Sequence, residues 1–139
     1  MRVILDTNVV VSGVFFGGMP GRILSAWSAG KFALVLSPDI LEEYRRVGHE
    51  LGRQRPSIGA AFEPLLTLIA MNAIIVDARP LAVPVSDDPD DDKFLAVAAA
   101  SQTPLIVSGD GDLLRVTGWR GVDVLTPRQF VDRHLAAGS

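Results

Sequence analysis

The chain has 139 residues and a mass of 14.9 kDa, the size of one domain with a core of its own. Hydrophobic residues make up 48% of it, yet no apolar run approaches the roughly 20 residues of a membrane helix. A net charge of −3 excludes the broad basic surface of a general nucleic-acid binder. The absence of cysteine excludes disulfides and thiolate metal sites, and it fits a cytoplasmic location. We therefore expect one domain over residues 1–139 that binds anions only through a local cationic patch or bound metal.

Segments typical of strands and helices alternate along the chain. Short runs of Val, Ile and Leu predict strands at residues 2–5, 32–36, 73–76, 105–107 and 122–125. An N-cap residue followed by proline opens three of the predicted helices. The predicted helices span residues 20–29, 38–47, 57–72, 89–101, 110–114 and 127–135, and Pro64 predicts a kink or a break in the third.

This alternation predicts a central parallel sheet with helices on both faces. In such sheets the ligand site lies beyond the carboxyl ends of the strands. Asp6 follows the first strand and Asp110 follows the strand at 105–107, so the two acids are expected to meet at one edge. Alone, Asp6 is equally typical of a turn and Asp110 of a helix cap, so the pair is more informative than either.

Residues 87–92 contain five aspartates and lie directly before an apolar helix. The helix dipole favours each acid in the first turn by about 0.3–1 kcal/mol, which offsets one or two charges but not five. Helical geometry leaves Asp91 and Asp92 both able to face a cation, whereas we expect Asp88 to cap the helix and Asp90 to face solvent. Clustered carboxylates without His or Cys favour hard cations such as Mg²⁺ or Mn²⁺.

Other polar residues give weaker signals. Glu42 and Glu43 are about 100° apart on their helix, so at most one of them points at the strand ends. The isolated His49 and His134 do not support histidine acid–base chemistry, and no glycine loop has the spacing of a phosphate-binding loop. One basic stretch is either a solvated helix end or a contact for phosphates or an acidic partner; it comprises Arg45, Arg46, Arg53 and Arg55.

Four segments, in this order, resemble a PIN-domain ribonuclease: ILDTNVVVS, LSPDILEEYRRV, DPDDDKFLAVAAA and LIVSGDGDLL. The resemblance extends to GVDVLTPRQFV, covers nearly the whole chain and is closest to the toxins of prokaryotic toxin–antitoxin pairs. It implies a three-layer α/β/α sandwich around a parallel sheet, with a pocket of about four acids that binds Mg²⁺ or Mn²⁺.

The resemblance also implies roles for individual residues. It favours Glu43 over Glu42, because a large residue follows Glu43, and Asp92 over Asp91, because of the spacing to Leu95 and the small residue after it. Metal binding and catalysis then fall to Asp6, Glu43, Asp92 and Asp110, with Asn8, Ser108 (in place of the usual Thr) and Asp112 in supporting roles.

The activity implied is metal-dependent hydrolysis of single-stranded RNA. Bound ions would orient a water in line with the phosphodiester, stabilise the developing charge and attract RNA to an acidic protein. The implied partners are the RNA substrate and a cognate antitoxin. The apolar composition predicts, in addition, that the protein forms a homodimer. Two alternatives remain. One is a haloacid-dehalogenase-like phosphatase with Asp6 as nucleophile, although position 8 is Asn where that chemistry needs a second Asp. The other is a PIN-like module that binds RNA or protein without cleaving it.

Overall fold

In the computed structural model, which describes residues 1–135, five strands form one all-parallel sheet. The strands of its inner part are buried, as expected for a sheet covered by helices on both faces. The order across the sheet is β3–β2–β1–β4–β5. The strands are β1 (Arg2–Leu5), β2 (Ala33–Leu36), β3 (Ile74–Ile75), β4 (Leu105–Val107) and β5 (Asp123–Leu125).

Helices flank the sheet and complete the predicted three-layer α/β/α sandwich, which is confirmed. Two 3₁₀ turns lie between them, at Pro89–Asp91 and Trp119–Gly121, and a wider π-type turn at Val131–Leu135 follows the last helix. The helices are α1 (Thr7–Phe15), α2 (Gly18–Ser28), α3 (Pro38–Gln54), α4 (Pro56–Asn72), α5 (Asp92–Ser101), α6 (Gly111–Leu114) and α7 (Pro127–Phe130).

The direction of the chain across the sheet reverses beside β1. From β1 the chain moves outward to β2 and β3, and it then returns to the other side of β1 to form β4 and β5. β1 therefore pairs with β2 through Val3 and Leu34, and with β4 through Ile4 and Ile106. A parallel sheet leaves a crevice at such a reversal, at the carboxyl ends of the two strands. Asp6 lies at this crevice, and its backbone amide donates to the Val107 carbonyl over 2.9 Å.

Helix α1 was not predicted, because its sequence is rich in β-branched valine. Val9, Val10 and Val11 are all buried, so packing against the core outweighs their preference for strands. The helix begins directly after Asp6, whose backbone carbonyl accepts from the Val9 amide over 3.0 Å. The first strand thus leads straight into a helix at the carboxyl edge of the sheet.

Helices α3 and α4 form a longer hairpin than predicted. Helix α3 continues to Gln54, beyond the predicted end at residue 47, and α4 runs through Pro64 without the possible break. Pro64 lies on the exposed face, as does Ala60, whose carbonyl loses its usual helical partner and can turn to water. The two helices pack closely at Gly48, where an added Cβ would overlap the ring of Phe62.

Among residues 1–135, no single helix combines the length and apolar character needed to cross a bilayer. Helices α1 and α2 reach both criteria only when joined, and they are bent by 98° at their junction.

Candidate metal centre

An acidic pocket of about 200 Å³ opens at the carboxyl edge of the sheet, where the strand order reverses. Six of the nine residues that line it carry a carboxylate, and none carries a positive charge. The pocket brings together the ends of β1 and β4, the middle of α3 and the turn before α5. Its lining residues are Asp6, Thr7, Asn8, Glu43, Val47, Asp88, Asp90, Asp91 and Asp110.

Asp6 and Asp110 meet through Ser108, as their positions after β1 and β4 predict. The Ser108 hydroxyl donates to Asp6 Oδ2 over 2.6 Å, and its oxygen accepts from the Asp110 amide over 2.9 Å. Burial raises the pKa of the Asp6 carboxyl above its ordinary value, and the charges of Asp110 and Glu43 add to that rise. The Ser108 hydroxyl acts in the opposite direction, because it stabilises the ionised form of Asp6.

Asp91 is the most perturbed acid of the pocket. It lies on the 3₁₀ turn before α5, its side chain is 6% exposed, and Oδ2 has no hydrogen-bond partner among the described residues. Burial raises its pKa to about 8, with further contributions from the neighbouring Asp110, Asp6 and Asp88 carboxyls. A buried carboxylate oxygen without a partner is costly, so this atom is poised to accept a proton or a cation.

Asp91 and three neighbouring carboxylates have the spacing of a cation site. Oxygens from Asp88, Asp91, Asp110 and Asp112 all lie within 4.8 Å of one another. Asp88 and Asp110 are held by their own turns, since each accepts a backbone amide two residues ahead over 3.0 Å. Asp112 also pairs with Arg115 on the outer side. Oxygen donors at this density, with no histidine or thiolate, suit a hard divalent cation.

Asp92, which the family resemblance favoured over Asp91, does not line the pocket. Its Oδ1 accepts the Ser86 amide over 2.8 Å and its Oδ2 accepts the Val85 amide over 3.1 Å, so both oxygens anchor the preceding loop. The cause is the turn type. A 3₁₀ turn has three residues per turn, which places Asp88 and Asp91 on one face, whereas an α-helix from Pro89 would have aligned Asp88 with Asp92.

Glu43, rather than Glu42, points to the strand ends. Its Oε2 accepts the Thr7 hydroxyl, and its Oε1 pairs with the Lys93 ammonium, with the Arg46 guanidinium at 3.9 Å. Glu42 instead lies outside, where it pairs with Arg45. Helix α3 is fixed against the sheet beside this site, because the Tyr44 hydroxyl donates to the Leu5 carbonyl.

Sequence reasoning missed the two residues that hold Glu43, Thr7 and Lys93. Each directly follows an acid that was considered, Asp6 and Asp92 respectively, but nothing in the sequence indicates which long-range partner it contacts. Asn8 lies exposed at the mouth of the pocket, as a contact for substrate would.

The basic stretch does not act as one patch. Arg45 pairs with Glu42 and Arg53 pairs with Glu50, each within one turn of α3. Arg55 instead lies with its guanidinium 5.1 Å from the centre of the Phe16 ring. His49 pairs with Glu63 and does not line the acidic pocket.

The parallel sheet, its reversal at β1 and the acids gathered there define a nuclease-type α/β/α fold. Residues 2–112 match the family model of the PIN domain, and the chain belongs to the PIN-domain family. The matched region contains every acid of the pocket, and proteins of this family are generally metal-dependent nucleases. A search of curated proteins finds no match to the chain. The predicted family is thus confirmed, and the phosphatase alternative loses its basis.

Proposed function

We propose that the protein is a metal-dependent endoribonuclease whose divalent cation, Mg²⁺ or Mn²⁺, binds Asp6, Asp91 and Asp110. One observation carries the proposal: Asp91 Oδ2 is buried and has no hydrogen-bond partner within residues 1–135, in a pocket that Asp6 and Asp110 also line. A cation would satisfy that oxygen and offset the burial and the carboxylate repulsion that together raise the pKa of Asp91. Asp91 takes the role that the family resemblance gave to Asp92.

The remaining carboxylates complete the donor set. Asp88 and Asp112 have oxygens within 4.8 Å of those of Asp91 and Asp110, and Glu43 lines the same pocket. When bound, the cation lowers the pKa of a coordinated water and stabilises negative charge on the phosphoryl and leaving oxygens of a phosphodiester. The oxygen-only donor set supports Mg²⁺ or Mn²⁺ over softer metals.

Neighbouring residues position these carboxylates and the substrate. Ser108 orients Asp6 and Asp110 together, and Thr7 and Lys93 hold the two oxygens of Glu43. Arg46 lies beside Glu43 with its side chain 66% exposed, so it can contact a phosphate that approaches the pocket. Of the four arginines in the basic stretch, Arg46 and Arg55 are therefore the ones that contact the substrate in this proposal.

The test is cleavage of single-stranded RNA by purified protein with and without Mg²⁺ or Mn²⁺. We expect cleavage that requires metal and that Asp6→Asn and Asp110→Asn each reduce by orders of magnitude. Asp39→Asn is a matched control, since Asp39 is an exposed acid in the first turn of α3 and does not line the pocket. Metal binding without cleavage would favour the alternative of a non-catalytic PIN-like module.

The toxin role rests on the sequence resemblance. A small antitoxin gene beside this one would support it, as would relief of growth inhibition when the two are expressed together.

The homodimer is supported by exposed apolar side chains on α4 and on the adjoining edge strand β3. They comprise Leu68, Met71, Ile74 and Ile75. Light scattering across micromolar concentrations tests the dimer, and a monomer throughout would contradict it.

A further inference from the structure

Phe16 is the one exposed aromatic side chain among residues 1–135, at 63% of its full accessibility. It is the residue directly after α1, and its amide donates to the Ser12 carbonyl over 2.9 Å, as in the last turn of a helix. The Arg55 guanidinium lies 5.1 Å from the centre of its ring, in the range of a cation–π contact.

Two helix faces connect the Phe16–Arg55 pair to the acidic pocket. On α1, the residues Asn8, Ser12 and Phe16 are four apart and therefore lie on one face, which is exposed or partly exposed along its length. Asn8 lines the pocket, and the rise of about 1.5 Å per residue places Phe16 about 12 Å farther along the helix.

The second face belongs to α3 and the residue that follows it. Val47, Leu51 and Arg55 are also four apart, and all three are exposed or partly exposed. Val47 lines the pocket together with Asn8, and Arg55 contacts Phe16. The two faces thus run side by side from the pocket to the pair, as one continuous strip of surface.

The charge on this strip is suited to a polyanion. Within the described part of the chain, Arg55 forms no ion pair with a carboxylate, unlike Arg45 and Arg53, whose charges are offset by glutamates on α3. An exposed aromatic ring beside an arginine without an acidic partner is the combination on which single-stranded nucleic acids stack, since every base presents a π-face.

We propose that Phe16 and Arg55 form a subsite for an unpaired RNA base, a few nucleotides away from the phosphodiester in the acidic pocket. The base stacks on the exposed part of the Phe16 ring, and the Arg55 guanidinium contacts the base or its phosphate. The strip between them carries the intervening backbone. This inference rests on the proposed ribonuclease function and adds to it a length requirement for the substrate.

Binding and kinetics on RNAs of two lengths test the subsite. For an octaribonucleotide, Phe16→Ala raises KM at least about fivefold, the lower limit for one lost base–aromatic stack, and leaves kcat unchanged. For a dinucleotide, the same substitution changes neither constant. Phe16→Trp restores the affinity for the octamer, and Arg55→Lys weakens it because a lysine keeps the charge but not the planar stacking group.

A matched control is Val83→Ala, which removes another apolar side chain, 69% exposed, in the segment between β3 and the 3₁₀ turn. Affinity for the octamer is also measured directly by fluorescence anisotropy in an Asp91→Asn background, which stops hydrolysis and removes an acid of the pocket. Equal affinities for Phe16→Ala and Val83→Ala would overturn the subsite, and a Phe16→Ala protein that loses self-association instead would assign Phe16 to a protein contact. Absence of any cleavage by the wild-type protein would overturn the ribonuclease proposal itself.

Discussion

The acids at the strand ends and those before α5 reach the same pocket in different ways. Asp6 and Asp110 follow adjacent parallel strands, so the sheet alone brings them together, and Ser108 joins them. The acids of residues 87–92 lie on a short turn whose hydrogen-bonding pattern decides which of them points inward. Strand pairing fixes the position of the residue after each strand. At the start of a helix, by contrast, a change in the first turn moves the inward-facing position by one residue.

Where several identical residues precede a helix, the hydrogen-bonding pattern of the first turn decides which of their side chains point inward. Here the turn is 3₁₀, so Asp88 and Asp91 align and Asp92 becomes the first residue of the α-helix. Asp91 faces the other acids, and its Oδ2 has no hydrogen-bond partner in the described part of the chain. Both oxygens of Asp92 instead accept backbone amides, from Val85 and Ser86. Neighbouring residues of one type therefore have opposite tasks.

The largest expected effect separates those two tasks. Asp91→Asn should reduce metal-dependent RNA cleavage by orders of magnitude while the protein stays folded, because it removes a metal-binding charge. Asp92→Asn should instead lower the free energy of unfolding by about 1–2 kcal/mol, since an amide replaces a carboxylate that accepts two backbone N–H groups. Cleavage assays and denaturant unfolding on the same preparations measure both.

Asp87→Asn is the control for this comparison, because Asp87 belongs to the same acidic run but is exposed and does not line the pocket. It should leave both activity and stability close to wild type. An inactive Asp92→Asn protein beside an active Asp91→Asn protein would contradict the assignment and return the role to Asp92.

The next effect is stabilisation by metal. At a metal concentration about 100 times Kd, binding to the folded state alone adds about 2.7 kcal/mol. We therefore expect Mg²⁺ or Mn²⁺ to raise Tm by several degrees in wild type and in Asp92→Asn, but not in Asp6→Asn or Asp91→Asn. Differential scanning calorimetry measures this, and equal shifts in all four proteins would place the metal elsewhere.

The raised pKa of Asp91 predicts a pH dependence of the metal-free protein. In the folded state the Asp91 carboxyl keeps its proton up to about pH 8, whereas in the unfolded chain it loses the proton near its ordinary pKa of 3.8. Between these two pH values, folding therefore takes up a proton. The stabilisation is full below pH 4 and is lost as pH rises towards 8, at no more than about 1.4 kcal/mol per pH unit.

Urea unfolding in chelator at several pH values between 5 and 8 should show that decline, and Asp91→Asn should flatten it. Some slope should remain in the variant, since the pKa of Asp6 is also raised. A stability that rises with pH over this range in the wild-type protein would contradict the protonation of Asp91.

The smallest effect concerns the cap. Asp88 accepts the Asp90 amide and begins the 3₁₀ turn, as expected from its position before Pro89. Asp88→Ala should cost about 1 kcal/mol of stability, measured by denaturant unfolding. If Asp88→Ala lowered the free energy of metal binding more than the free energy of unfolding, the proximity of Asp88 to Asp91 would matter more than its role as a cap.

The sequence was sufficient for the features that depend on one element at a time. The parallel sheet followed from the alternation of strands and helices, the meeting of Asp6 and Asp110 from the ends of their strands, and the Asp88 cap from the proline after it. Helix α1 was missed because buried valines form a helix only when the core receives them. The contacts of Glu43 with Thr7 and Lys93 join three separate elements, and no local pattern encodes such a contact.

The close approach of α3 and α4 at Gly48 has a consequence for evolution. Since any Cβ at Gly48 would enter the volume of the Phe62 ring, the two positions are free to vary only as a pair. A relative that carries alanine at position 48 should carry a smaller residue at position 62. Alanine at position 48 alone should force the helices apart, and a smaller residue at position 62 alone should leave a cavity beside Gly48. Glu43 lies on the same helix, five residues before Gly48, so a change that moves α3 at this contact also moves a carboxylate of the acidic pocket. Selection on the pocket therefore also acts on a packing contact that touches none of its carboxylates.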